Sequence, residues 1–318
     1  MGTIDRALRS NLKLRHLQLL VALDQFRHLG RAAEFLSLTQ PAVSKTLAEI
    51  ERTFGVRLFE RSTRGTEPTP YGESVVRFAR SVLASYERTR DELSALASGA
   101  AGRTAVGAMV VATPVLLRRA VERLKARSPQ TTVLVEEGDP ARLLPRLRLG
   151  ELDVFVGRLE PGYAARDLDT EPLYEEPMAL VVRPDHPLAG RRPPPRWPEL
   201  AALPWVVPPP WAASRAKLDR TFQRHGAEPP ADLVETASFL ATLTFVRARP
   251  AVGFLARSVA RHFEREGQVR TLPVALELEL PPVGLITPRG RRLTPGTERL
   301  LACLREVAAR IRRSDGRA

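Results

Sequence analysis

Between Pro70 and Ser98, the residues Val75, Ala79, Val82, Tyr86, Thr89, Leu93 and Leu96 are spaced alternately by four and three positions. This is the rhythm of a heptad seam on one face of a long helix. The residues between them are mostly Arg, Glu, Asp and Ser, so the helix alone would hold an apolar stripe in water. Such a stripe can pack on the chain's own domain, but a helix this long outruns a small one. A partner helix covers it better, and the spacing predicts dimerisation through Val75, Ala79, Val82, Tyr86, Leu93 and Leu96. The helix also divides the 318-residue chain, which is too long for one average core. Ser98-Gly99-Ala100-Ala101-Gly102 ends it in small residues and reads as a hinge.

Before the seam, apolar residues at helical spacing from Leu14 to Leu23 predict one helix, and Arg31 to Leu36 fits a short second one. Ala32 and Ala33 let another helix cross closely. Ser37-Leu38-Thr39-Gln40-Pro41 breaks the chain and restarts it, with Thr39 as N-cap and Pro41 in the first turn. A third helix then runs from about Pro41 to Phe54, with Val43, Leu47 and Ile50 inward and Gly55 as its stop. Two short helices joined by a tight turn form a helix-turn-helix, which presents the N-terminal side chains of its second helix to base edges. Gln40 can bond adenine, Lys45 can reach guanine acceptors, and Arg31, Thr39 and Ser44 can hold phosphates. Val56 to Arg61 and Thr66 to Thr69 bracket Ser62-Thr63-Arg64-Gly65 as a hairpin with a basic tip. Periodicity alone equally describes a small helical bundle that binds nothing.

The residues themselves go further. RAAEFLSLTQPAVSKTLAEIERTFGVRLFERSTRG followed by TPYG closely resembles the signature of LysR-type transcriptional regulators across residues 13 to 72. By that resemblance Ser37, Thr39, Gln40, Pro41, Ser44 and Lys45 match the DNA-reading motif, and Arg61 and Arg64 match the wing. Lys45 stands where Arg is commoner. Pro68 stands where Leu is usual and resembles the branch containing galactose-binding-protein and protocatechuate-pathway regulators. The resemblance implies a winged helix-turn-helix over 1–69, a dimerisation linker helix over 70–98 and an effector-binding domain over 99–318.

After the hinge, strand-like runs alternate with helical ones: Val106 to Ala112, Leu116 to Lys125, Thr132 to Glu136, Arg142 to Leu149 and Leu152 to Val156. This is the opening of an α/β domain with a mostly parallel sheet. A second unit carries Ala179 to Val182, Trp205 to Val207, Leu233 to Glu235 and Val252 to Leu255, with helices near 215–225 and 239–247. GELDVFVGRL, PLYEEPMALVVRPDHPLAG, WVVPPP and ETASFLATL also match the LysR-type family. They imply a periplasmic-binding-protein-like sensor of two Rossmann-type subdomains, one over 103–166 and 271–318 and the other over 167–270, with the helix at 295–312 packed on the first. Sheets of this kind bind ligands where strand ends meet helix starts. The candidate effector contacts are therefore Thr113, as cap of a helix starting at Pro114, with Asp139, Arg158, Pro210, Trp211, Ser238, Phe239 and Phe254. Asp139 stands where related sequences often have Thr or Ser; its charge favours a polyol over an anion unless Arg158 offsets it.

The charge balance, +13 overall, favours polyanionic partners. Other classes find little support. The five histidines show no metal-ligand spacing, and there is no phosphate loop, dinucleotide fingerprint or nucleophile elbow. Ser214-Arg215-Ala216-Lys217 spells S-x-x-K without its K-T-G partner. The expectation is no enzyme, no metal and no cofactor. An architectural DNA-binding protein without effector would leave the α/β half idle. The N-terminus lacks a signal peptide's apolar core, no apolar run is long enough for a membrane span, and the sole cysteine, Cys303, excludes an intrachain disulfide. Cytoplasmic location, homodimers or homotetramers on double-stranded promoter DNA, a small-molecule effector and contact with RNA polymerase complete the expectation.

Overall fold

The computed structural model describes residues 12–62, 65–98, 102–163, 165–210, 212–276 and 278–315, with the side chains of 94–98 and 314–315 left out. Two compact units emerge: residues 1–102 with 145–152, and residues 103–144 with 153–318.

In the first unit, α1 (Leu14–Phe26), α2 (Leu29–Phe35) and α3 (Gln40–Phe54) precede a hairpin of β1 (Phe59–Ser62) and β2 (Gly65–Pro68) and the long α4 (Pro70–Ser98). The core gathers Leu19, Leu20, Leu23, Ala32, Ala33, Val43, Leu47, Ile50, Phe54 and Leu58. Val43, Leu47 and Ile50 are buried, as their spacing predicts. Thr69 starts α4: its hydroxyl accepts the Gly72 N–H at 3.1 Å and donates to the Arg57 carbonyl at 2.8 Å. A Cβ at Gly72 would lie 1.9 Å from the Leu58 carbonyl oxygen, so only glycine lets α4 begin this close to the hairpin.

The seam needs one correction. Ala79 is fully buried beside Val76, on the face of α4 turned to its own unit. The exposed apolar stripe runs instead through Tyr71, Phe78, Tyr86 and Leu93, with Val75 and Val82 half-buried between them. The Leu96 side chain lies outside the described residues.

The second unit holds two five-stranded sheets. The first, in the order β4-β3-β5-β12-β6, comprises β3 (Arg103–Ala108), β4 (Thr132–Glu137), β5 (Val154–Arg158), β6 (Leu168–Tyr174) and β12 (Val283–Pro288). The second, in the order β11-β7-β10-β8-β9, comprises β7 (Met178–Val182), β8 (Trp205–Val207), β9 (Leu233–Glu235), β10 (Val252–Ala256) and β11 (Arg270–Thr271). β3 is parallel to β4 and β5, and β8 to β9 and β10, while β12 and β7 pair antiparallel with their neighbours. Helices α5 (Arg118–Arg127), α6 (Pro140–Leu149), of which residues 145–149 are assigned to the first unit, α7 (Trp197–Ala201), α8 (Ala213–Arg224), α9 (Phe239–Ala248), α10 (Arg257–Arg265) and α11 (Pro295–Asp315) complete it. The last buries Leu300, Leu301, Leu304, Val307 and Ala308 in the core of the first sheet.

The crossings between the sheets fall later than expected. β6 pairs with β12 from Leu168↔Pro288 onward, so residue 167 still belongs to the first sheet and the chain passes over at 175–177. The return spans 272–282, where Leu272, Val274, Leu276 and Leu278 still pack on the second core.

Candidate DNA-binding face and sensor cleft

α3 begins on a well-built cap. The Thr39 hydroxyl accepts the Ala42 N–H at 3.4 Å, Pro41 occupies the first turn, and Gly55 closes the other end in the left-handed conformation (φ 71°). Ser37 turns the chain between α2 and α3 at φ 55°, and the Leu38 N–H closes that turn on the Ala33 carbonyl at 2.8 Å. The result is a rigid helix start on which Thr39, Gln40, Pro41 and Lys45 are exposed and Ser44 is half-buried. Arg31 is exposed at the start of α2, whose cap is His28: its Nδ1 accepts the Gly30 and Arg31 N–H groups at 3.0 and 3.3 Å.

The hairpin joins this face directly. The Arg61 guanidinium on β1 donates to the Ser44 hydroxyl at 3.1 Å, bringing together two residues predicted separately. Arg64 lies outside the described residues. Sequence reasoning missed the groups that hold the hairpin. Glu51, near the end of α3, accepts the Leu58 and Phe59 N–H groups at 2.8 and 3.1 Å. Arg27 accepts the Thr66 N–H on its carbonyl at 2.8 Å. Neither carries a local signal, because its partners lie seven or more positions away in the chain.

Along one side of α4, Tyr71, Ser74, Val75 and Phe78 meet Phe54, Val56 and Leu58 around an apolar recess of about 270 Å³. Its lining is almost wholly hydrophobic, and Tyr71 and Phe78 stand at its exposed edge.

In the second unit, the expected effector residues do follow the carboxyl ends of parallel strands: Thr113 and Pro114 after β3, Asp139 after β4, Arg158 closing β5, Pro210 after β8 and Ser238 and Phe239 after β9. Three individual readings change. Thr113 does not cap a helix: it opens a five-residue π-helical turn (Thr113–Leu117), and its hydroxyl donates to the Met109 carbonyl at 3.3 Å. Phe254 is 4% exposed and packs with Trp205, Val207 and Leu180, because β10 is covered on both faces and none of its side chains reaches a free surface. Arg158 is 6% exposed, and its guanidinium donates to the Glu176 carbonyl at 2.7 Å and the Pro281 carbonyl at 2.9 Å. One buried cation thus ties both crossing segments together. Burial pulls its pKa below the usual guanidinium value, and the Glu176 carboxylate opposes that fall.

Asp139 and Ser238 are N-caps, accepting the Arg142 N–H at 2.9 Å and the Ala241 N–H at 3.3 Å, and both are exposed. The Phe239 ring packs against Phe263 at a tilt of 40°, with centroids 4.9 Å apart. Trp211 lies outside the described residues. Tyr163, which the sequence did not single out, is near Asp139: burial raises its phenol pKa, helped by the charges of Glu160 and Asp139. Among the described residues no three His, Cys, Asp or Glu side chains are arranged to hold a metal ion, and no helix is long and apolar enough to cross a membrane.

Residues 14–73 match the family described as bacterial regulatory helix-turn-helix protein, lysR family, and residues 97–309 match the LysR substrate binding domain. The HTH-type transcriptional regulator GbpR of Azospirillum brasilense is 33% identical over 95% of this chain and 88% of its own length. The HTH-type transcriptional regulator GalR of Pseudomonas putida is 32% identical over 92% of this chain and 73% of its own. Among solved structures, full-length CbnR complexed with its target DNA superposes with a TM-score of 0.70 at 21% identity, covering 93% of this chain and all of that one (100%). Two family models that between them span residues 14–309, with relatives above 30% identical over more than nine-tenths of the chain, settle the membership: the chain belongs to the LysR family of DNA-binding transcriptional regulators and is not an enzyme.

Proposed function

We propose that this regulator reads promoter DNA through Gln40, Ser44 and Lys45 at the start of α3, with Arg31, Thr39, Arg61 and Arg64 positioning it on phosphates and Ser37 and Pro41 shaping the turn that presents α3. The observation that carries this is the capped start of α3, exposed at Thr39, Gln40, Pro41 and Lys45, with Arg61 braced on Ser44. Selection from a randomised duplex library tests it. Gln40→Ala and Lys45→Ala should change base preference, whereas equal loss on selected and random DNA would show that α3 is not the reader.

The exposed stripe Tyr71, Val75, Phe78, Val82, Tyr86, Leu93 and its recess support pairing with a second copy, which places two reading helices on successive half-sites. Homodimers or homotetramers in the cytoplasm, contacting RNA polymerase, follow from this reading.

A small-molecule effector in the cleft between the two sheets modulates promoter binding, with Thr113, Pro114, Asp139, Pro210, Trp211, Ser238 and Phe239 near it. The Arg158 donors are committed to two carbonyls and are not offered to an anionic group beside Asp139. That balance favours a neutral polyhydroxy compound such as a sugar over a dicarboxylate, with aromatic acids the other class to try. Thermal shifts against sugars, aromatic acids and sulfonates test the sensor. No shift with any class, while DNA binding persists, would end it.

A further inference from the structure

Arg27 sits where a side chain is expensive. It follows α1 in the left-handed conformation, φ 50° and ψ 23°, which non-glycine residues seldom adopt. The contacts around it explain why the conformation persists. Its Nε donates to the Asp24 carbonyl at 2.7 Å and one terminal nitrogen pairs with the Asp24 carboxylate at 2.8 Å. The other terminal nitrogen pairs with Glu67 on β2. Its carbonyl accepts the Thr66 N–H at 2.8 Å, and a Cβ at Gly65 would lie 2.6 Å from that same oxygen. Glycine at 65 is therefore what lets β2 press this closely on Arg27. The free oxygen of Asp24 continues the chain of charges to Arg80 of α4 at 2.9 Å.

We infer that Arg27 is a positioning residue for the hairpin: through Glu67 and Asp24 it fixes β2 to both α1 and α4, and so sets where the wing meets the DNA flanking the bases read by α3. A forked guanidinium suits this because it engages two carboxylates at once in fixed geometry. Arg61 on Ser44 holds the other strand of the same hairpin, so the hairpin is braced on both of its strands. The inference rests on the DNA contacts proposed above.

The test uses the full-length protein and a randomised duplex library, reading base preference at central and flanking positions separately, with thermal unfolding in parallel. Arg27→Gly removes the guanidinium while leaving a residue at ease with positive φ. Its thermal midpoint should stay near the wild-type value, binding should weaken about tenfold, and preference should flatten in the flanks alone. Asp24→Asn, which leaves Arg80 its contact with Glu151 at 3.4 Å, should act in the same direction by less. Arg27→Lys, a single point charge, should fall between wild type and glycine. Unchanged flanks in Arg27→Gly would overturn the inference. So would a uniform loss at centre and flanks accompanied by a lower midpoint, which marks a merely structural role. Gln40→Ala is the control: it should flatten the centre only, and a centre it leaves unaltered would count against the α3 reading rather than against Arg27.

Discussion

Replacing Arg158 by Met separates its two possible uses, since Met preserves length and apolar bulk but cannot donate. In the structure Arg158 is 6% exposed and its guanidinium supplies both the Glu176 and the Pro281 carbonyls. A hydrogen bond from a charged donor contributes about 1.5–3 kcal/mol, and carbonyls left buried without partners keep their full desolvation cost. Two such bonds, with the buried Glu176 carboxylate also losing its nearby cation, put the loss at roughly 3–5 kcal/mol. For a unit of this size that lowers the unfolding midpoint by about 10 °C. Calorimetry on the full chain reads it, and Arg158→Lys, which can reach one carbonyl but lacks the fork, should lose about half as much. A midpoint within about 2 °C of wild type in Arg158→Met would refute the argument. It would mean that water replaces the guanidinium at both carbonyls, and that Arg158 is available to an effector as its place at the end of β5 first implied.

Tyr71→Glu with Phe78→Glu puts two charges on the exposed stripe of α4 and should convert dimers to monomers in light scattering, with α-helix content retained. Arg61→Ala should weaken binding to all duplexes and reduce the slope of log affinity against log salt by about one, since a phosphate contact releases about one counterion. His186 is 4% exposed, and burial, with Arg183 adding to it, pulls its imidazole pKa below the ordinary histidine value while the Pro250 carbonyl and Asp185 oppose the fall. A base held neutral on folding binds fewer protons than in the unfolded chain, so its contribution is present above the ordinary histidine value and is lost as pH falls through that value toward the lower folded one. The unfolding midpoint should therefore drop between about pH 7 and pH 5, more steeply in wild type than in His186→Gln.

The elements legible in the sequence are those whose signals are local. Thr39, Pro41 and Gly55 mark the ends of α3 within a residue, because caps and left-handed stops are properties of adjacent residues. The caps at Asp139 and Ser238 are local in the same sense, each closing on an N–H three positions on. The heptad spacing gave the length of α4 correctly but misplaced one member: alanine fits either face, and Ala79 lies inward while Phe78, one position away, carries the stripe. β6 was missed because its middle is exposed, with Asp169, Thr170 and Glu171 interrupting the apolar alternation that marks a strand. Thr113 misled because a π-helical turn moves the hydrogen-bonding register away from the one its position before Pro114 implies.

What stayed hidden is almost entirely arginine chemistry. With 49 Lys and Arg against 36 Asp and Glu, net charge favours a polyanion, but it does not distinguish cations offered to DNA from cations spent within the fold. Arg158 is spent on carbonyls 18 and 123 positions away, and Arg27 on a carboxylate 40 away. Each side chain is long enough to find such partners, and none leaves a mark on its neighbours in sequence. The distinction matters for function. An arginine facing phosphate contributes salt-dependent affinity, whereas Arg27 and Arg158 contribute geometry: one holds a hairpin beside the reading helix, the other holds together the two segments about which a sensor's sheets would turn. Their removal should therefore change what the protein reads and how its sensor unit holds together, while leaving the salt slope of its DNA binding close to unchanged.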